Sequence, residues 1–313
     1  MAAVSKFLLL QLPQEDILGT IRLMDIYQKI SFSLISKRCK GLIQSLQIKA
    51  KFSSVSINND IRMFVTLPEF TLHIYFANST MRNDGQKKIL RAPLYVSFDF
   101  SHHLKRIGFK YNDWLEHFQT IFHCPSIANI QFYYGSSEYD LDEIREVFGA
   151  TKKLYARDTG CYANNLMIFQ KFSLIENLNI RPDMFQDSRI PFNILQQNYA
   201  TLDIICDFNN TKEMTLDQLL VINSKIITME NIRISPQDLS TFIKLWMKGS
   251  NPRLENLNLF RTDSFSYDSA TVMKGIKRKE IKQGKQMEVY RRDGTCATIL
   301  FGAPGVQMFV WFD

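Results

Sequence analysis

No run in this 313-residue chain approaches the roughly 20 consecutive apolar residues that a membrane-spanning helix requires, so no such helix is expected. Cysteine is sparse. Cys39, Cys124, Cys161, Cys206 and Cys296 are odd in number, lie far apart and include no C-x-x-C, which fits reduced thiols in a cytosolic or nuclear protein. Neither G-x-G-x-x-G nor G-x-x-x-x-G-K-[ST] occurs, and Gly302-Ala-Pro-Gly305 reads as a turn, so no nucleotide phosphate cradle is expected. His102, His103, His117 and His123 with Cys124 are close in sequence but lack H-E-x-x-H or finger spacing, so they read as surface or core histidines with no metal. Asp158-Thr159-Gly160 occurs once, whereas aspartic-protease chemistry needs two carboxylates sharing a proton. The expectation is a protein without cofactor or catalytic residues, not an enzyme.

The opening MAAVSKFLLLQ has too short an apolar core for a signal peptide and runs into Pro13 and charged residues. A cytoplasmic and/or nuclear location is therefore expected, with the sequons at Asn78 and Asn209 accidental. At +7 the net charge is moderate, and a 45% hydrophobic content is ordinary for a folded, soluble chain of one large domain or two. The most cationic segment, KGIKRKEIKQGK from Lys274, reads as a solvated helix face within a basic helix over 269–281. Aromatics do not alternate with it as on a single-strand stacking platform, so neither nucleic acid nor membrane is an expected partner.

Between Leu9 and Leu46 the pattern changes to three short helices with apolar residues on too many sides. Pro13 can open the first, because its missing N–H would be unpaired there anyway, and Ile17, Leu18 and Ile21 share a helical face. Asp25 stands at an N-cap position, followed by the stripe Ile26, Ile30 and Leu34; Ile35, Cys39, Leu42, Ile43 and Leu46 form a third. About 40 residues cannot bury that much apolar surface alone, so the segment reads as one half of an interface. From Leu12 to Cys39 it resembles the F-box, the adaptor-binding motif of substrate receptors in SCF ubiquitin ligases. Leu12-Pro13 matches the family's opening pair, Ile17 and Leu18 its buried aliphatics, and ISFSLISKRCK its apolar-x-x-apolar-S run; Cys39 replaces the family's Trp. The resemblance implies that Leu12, Pro13, Ile17, Leu18, Ile30, Leu34, Ile35 and Cys39 dock a Skp-family adaptor and through it a cullin. Lys37, with Arg38 and Lys40, would add rim charge that speeds encounter.

Further on, the template apolar-x-x-apolar-x-apolar recurs with starts at 127, 151, 175, 199, 229 and 254, near the period of leucine-rich repeats. Helix-like segments lie between the copies: YDLDEIREVFG, YANNLMIFQKF, PFNILQQN, TLDQLLVIN and SPQDLSTFIKLWMKG. Strand then helix, repeated, predicts a parallel sheet backed by helices. Gln131, Tyr155, Asn179, Asp203, Arg233 and Asn258 take the outward strand position and, with Arg181, are the candidate substrate-binding residues. The Asn or Cys of regular leucine-rich repeats is missing three residues beyond the last apolar position, so any horseshoe would be irregular. A non-repetitive α/β domain is the alternative. Ser53 to Phe76 alternates as a strand pair would, Asn78 to Arg91 reads as an exposed loop, and Met287 to Phe312 as a terminal hairpin turning at Asp293-Gly294 and capping the last repeat.

Most of the chain is similar to the nematode F-box family with the type 2 F-box associated domain. SLISKRCKGLIQSL, NILQQNYATLDI, LLVINSKIITMENIRIS, FIKLWMKGSNPRLENLNLF with Trp246, and RRDGTCATILFG carry that likeness. It implies that the C-terminal region recognises a target protein. The expected fold is α/β, with an F-box module over 1–50, connecting strands and a helix over 51–125, and a leucine-rich-repeat-like strand/helix solenoid over 126–313. The expected function is an SCF substrate receptor; the rival is a leucine-rich-repeat-like interaction scaffold without a ligase role.

Overall fold

A computed structural model describes residues 9–77, 87–88, 90, 93–99, 102–106, 108–124, 126–207, 210–262, 265–302 and 305–312. The loop expected over 78–91 falls largely outside these residues, as do Asn78, Asn209 and the first eight positions. The chain divides into two compact units, Met1–Ala128 with Glu138–Gly149, and Asn129–Ser137 with Ala150–Asp313.

The first unit opens with α1 (Gln14–Leu23), α2 (Ile26–Ser33) and α3 (Lys37–Ser45). Their starts follow from local chemistry. Pro13 stands at the cap of α1, and its carbonyl accepts the Ile17 N–H at 3.1 Å. At α2, Asp25 and Gln28 satisfy each other's backbone N–H groups at 2.8 and 3.0 Å, a reciprocal capping box. Ser36 accepts the Cys39 N–H at the head of α3. Five antiparallel strands follow in sequence order: β1 (Phe52–Ile57), β2 (Ile61–Thr66), β3 (Thr71–Ala77), β4 (Tyr95–Phe98) and β5 (His102–Leu104). Where a strand pair was expected there are thus three strands over 52–77. The tight turn at 58–60, closed by Asn58 Oδ1 on the Asp60 N–H, frees IRMFVT to pair on both sides. Helices α4 (Tyr111–Ile121) and α5 (Leu141–Phe148) complete the unit. Its core is aromatic: Phe76, Phe98, Tyr111, Trp114 and Phe118 are buried, with Phe98 edge-on to Phe118 at 6.1 Å.

In the second unit, β6 (Asn129–Phe132), β7 (Lys153–Ala156), β8 (Asn177–Ile180), β9 (Thr201–Ile205), β11 (Ile226–Glu230) and β13 (Asn256–Phe260) form a parallel sheet, each strand beside the one named before it. Two-residue strands β10 (Lys212–Glu213) and β12 (Ile232–Arg233) pair separately. Interleaved are α6 (Tyr162–Lys171), α7 (Phe192–Leu195), α8 (Leu216–Val221) and α9 (Pro236–Met247). The apolar template defines one face: Ile130, Leu154, Leu178, Leu202, Ile227 and Leu257 lie in one register row and are all buried, each worth about 1.5–3 kcal/mol of apolar burial. After α6, Phe172 meets Phe132 on this face at 5.5 Å.

One strand sits five residues earlier than its template copy. The copy starting at 229 was chosen because position 224 is serine, yet β11 buries Ile227 and Met229, and its outward residue is Thr228. Arg233 belongs to β12 and lies outside the outward row. The expected basic helix is also different: α10 (Ser269–Val272) is one turn long, and β14 (Lys279–Lys282) is a strand. Gly275, at φ +70°, breaks the helix before the lysines. Instead of a hairpin, β14, β15 (Gln286–Tyr290), β16 (Cys296–Gly302) and β17 (Gly305–Trp311) make an antiparallel meander. Strand β17 pairs with β13 and so covers that edge of the parallel sheet, and the turn at Asp293-Gly294 is where it was expected.

Candidate docking faces

The three N-terminal helices use one side to pack within their own unit. Tyr27 of α2 stacks on His102 at 4.3 Å, and its hydroxyl donates to Asp99, a bond that raises the phenol to about 12. The Arg106 guanidinium donates to the Leu34 carbonyl, and Ser33 Oγ lies 2.8 Å from His117 Nε2 on α4. Because the single Ser33 hydroxyl hydrogen is directed to the Ile30 carbonyl at 2.6 Å, Nε2–H of His117 is the donor in that contact.

This packing sorts the nine sequence-selected docking residues. Ile17, Ile30 and Cys39 have no exposed surface, so they hold the helices to each other and to the unit. Leu12, Leu18 and Leu34 are half-buried; Pro13, Ile35 and Lys37 are exposed. Ile35, at 67% exposure, and Leu23, at 88%, put two large aliphatic side chains into water near the ends of α1 and α2. Leu23 was not among the sequence-selected residues. Its position one residue before the end-cap of α1 puts it off the stripe formed by Ile17 and Ile21, which was the signal being followed.

The outward face of the parallel sheet carries Gln131, Tyr155, Asn179, Asp203, Thr228 and Asn258 in a single register row, continued by Gln307 on β17. Several of these side chains are engaged with neighbouring groups. Gln131 receives the Tyr133 hydroxyl at 2.8 Å, Lys153 lies over the Tyr155 ring at 5.1 Å, and Asn179 reaches Asp203 at 3.4 Å while itself buried. Arg181 is gripped by two carboxylates, Asp183 (2.6 and 3.1 Å) and Asp207. Burial opposes its charge, but the hydrogen bonds it donates to Asp207 and Asp183 outweigh that and hold the guanidinium above its ordinary range. Its neighbour Arg157 was not selected from sequence. Among the described residues, hydrogen bonds from that side chain reach the Ala156 and Asn179 carbonyls, at 3.3 and 3.5 Å, and burial pushes its pKa below the ordinary value. The face therefore presents amides, a tyrosine and the half-buried cations Lys153, Arg157 and Arg181.

Residues 190–259, which run through α7, β9, α8, β11, α9 and most of β13, match the family described as F-box associated. That segment of the chain is similar to the F-box associated family. Of the stretches that suggested this family in the sequence, NILQQNYATLDI and LLVINSKIITMENIRIS lie wholly inside the match. Nearly the whole chain is also similar to the F-box associated domain-containing protein sdz-33 of Caenorhabditis elegans, with 21% identity over 308 residues, 96% of this chain and 95% of that protein. No solved structure matches.

Inside and beside the matched segment, buried asparagines make ties that sequence reading missed. Asn231, held at φ +56°, donates to the Cys206 carbonyl at 3.2 Å and accepts from the Thr262 N–H and hydroxyl at 3.0 and 2.7 Å, tying three successive strand ends together. Asn251 caps the Leu220 and Ile222 carbonyls. The template looked for such a residue three positions past the last apolar strand residue, and in β11 it comes two positions past. Asp158-Thr159-Gly160 is a similar local tie, since Asp158 accepts from the Gly160 N–H and the Asn165 amide. All five cysteines are free thiols. Among the described residues no group of three His, Cys, Asp or Glu side chains is placed to hold a metal ion, and no helix is long and apolar enough to cross a membrane.

Proposed function

We propose that this protein is the substrate-recognition subunit of an SCF-type E3 ubiquitin ligase. Its N-terminal helices dock a Skp-family adaptor, which joins a cullin, and its second unit, a repeat-like strand/helix domain, holds a target protein for ubiquitination. The observation that supports this most is a division of labour within α1 to α3. Ile17, Ile30 and Cys39 are consumed by internal packing, yet Pro13, Leu23 and Ile35 stay in water within the segment that resembles the F-box. On this reading a separate subunit covers these exposed side chains, which then serve as its apolar anchors. The F-box associated match in the same chain supplies the second half of the reading.

In this role the protein performs no bond chemistry. It raises the effective concentration of target lysines near a charged conjugating enzyme, which makes their attack nearly unimolecular. Since Cys39 is wholly internal, the hydrophobic anchors that dominate such contacts have to come from Leu12, Pro13, Leu23 and Ile35. Leu12→Ala combined with Pro13→Ala is expected to abolish capture of the adaptor in a pull-down while far-UV circular dichroism stays native. Retained capture by that natively folded variant counts against the assignment.

A further inference from the structure

A cavity of about 540 Å³ opens in the second unit between the C-terminal half of α6 and the α7 turn. Phe172, Ile175 and Ile194 form apolar wall; Gln170, Gln197 and Asn198 are three of its polar side chains. In a chain with 22% charged residues, none of the twelve residues lining it is charged. Tyr199 also lines it, is only 5% exposed, and has no hydrogen-bond partner for its hydroxyl among the described residues. Burial alone pushes its phenol above the ordinary range. A phenol hydroxyl that has no protein partner and borders a cavity can be satisfied by a polar atom that enters it. The volume falls within the span of small-ligand sites, and the mixture of apolar wall and a few polar groups has their composition.

We infer that this cavity binds an uncharged group with an apolar body and one hydrogen-bonding polar atom, and that its occupant is an apolar side chain, with its flanking peptide group, from a bound protein. Two features select this chemistry. With no cation or anion in the lining, a charged group would be desolvated without compensation. Gln170, and the Gln197 amide beyond its bond to the Asn193 carbonyl at 2.9 Å, can donate to and accept from a peptide bond, matching a main-chain segment on either side of an anchored side chain. That the occupant comes from a target protein rests on the receptor reading; the cavity's preference for a neutral ligand does not.

N-acetyl-L-phenylalanine amide, titrated into the full-length chain and followed by ligand-observed NMR, tests the site. Saturable binding is expected, at least tenfold stronger than that of N-acetyl-L-phenylalanine, whose carboxylate is charged. Tyr199→Phe, which keeps the ring and removes the hydroxyl, should weaken it roughly two- to tenfold. Gln197→Trp, at an exposed rim position, should abolish it without touching the core. Absence of saturable binding, equal affinity for the charged analogue, or indifference to both substitutions overturns the assignment. In cells with the proteasome inhibited, Gln197→Trp should lower recovery of targets on the full chain and leave adaptor capture intact; unchanged target recovery overturns the peptide occupant. Failure of the unsubstituted chain to capture adaptor would instead remove the receptor reading while the neutral cavity stood.

Discussion

Burial, with lesser contributions from Lys40 and Arg106, pushes the His117 imidazole from 6.5 to about 4. Its unfolded value is the higher one, so between pH 6.5 and 4 the unfolded chain binds more protons, and stability rises with pH across that window. The contribution is complete above pH 6.5 and is lost as pH falls toward 4. Between pH 7.5 and 5 the loss is about 2 kcal/mol, and urea unfolding at the two values reads it directly. His117→Gln should flatten that dependence, because a neutral amide keeps a donor for Ser33 and has no proton to gain. Asn231 makes a different demand: Asn231→Ala leaves the Cys206 carbonyl and the Thr262 groups unpaired, an expected cost of about 1–3 kcal/mol in the same assay. At Gly305 an added Cβ would stand 1.7 Å from the Leu259 carbonyl oxygen, a backbone contact that no rotamer relieves. Gly305→Ala is therefore expected to cost at least about 2 kcal/mol, seen as a lower Tm.

At the scale of elements, Trp246 of α9 has no exposed surface and lies under the Arg291 guanidinium at 5.5 Å. Arg292 next to it donates its backbone N–H to the Met247 carbonyl, so the end of α9 is joined to the strands of the meander. Trp246→Ala is expected to destabilise the second unit by about 3–5 kcal/mol, measurable by chemical unfolding. The helices over 14–45, the alternation of strand and helix after residue 129, and the covering of the last parallel strand were all legible from periodicity, caps and turn residues. What was not legible has local causes. The start of β11 was hidden because Ser224 breaks the apolar template while Met229, Ile232 and Ile234 satisfy it by accident. The strand character of 279–282 was masked by lysines that suit an exposed edge strand as well as a helix face. In the candidate site, burial decided which residues stayed outside. Ile17, Ile30 and Cys39 have no exposed surface while Ile35, between α2 and α3, is 67% exposed, a difference that tertiary packing sets and apolar spacing does not reveal.

For the molecule as a whole, a helical module with uncovered aliphatic side chains stands in the same chain as a segment similar to the F-box associated family, and the proposed function depends first on adaptor docking. Such docking should not require refolding, because the buried members of α1 to α3 already hold the exposed ones in place. The most direct test is isothermal titration of the purified full-length chain with a purified Skp-family adaptor, repeated with Ile35→Glu. The account expects a one-to-one complex with a Kd of about 1 μM or tighter, weakened at least about tenfold by Ile35→Glu in a variant whose circular dichroism and unfolding midpoint are unchanged. No heat of binding from a natively folded chain, or equal affinity for the Ile35→Glu variant, would contradict it.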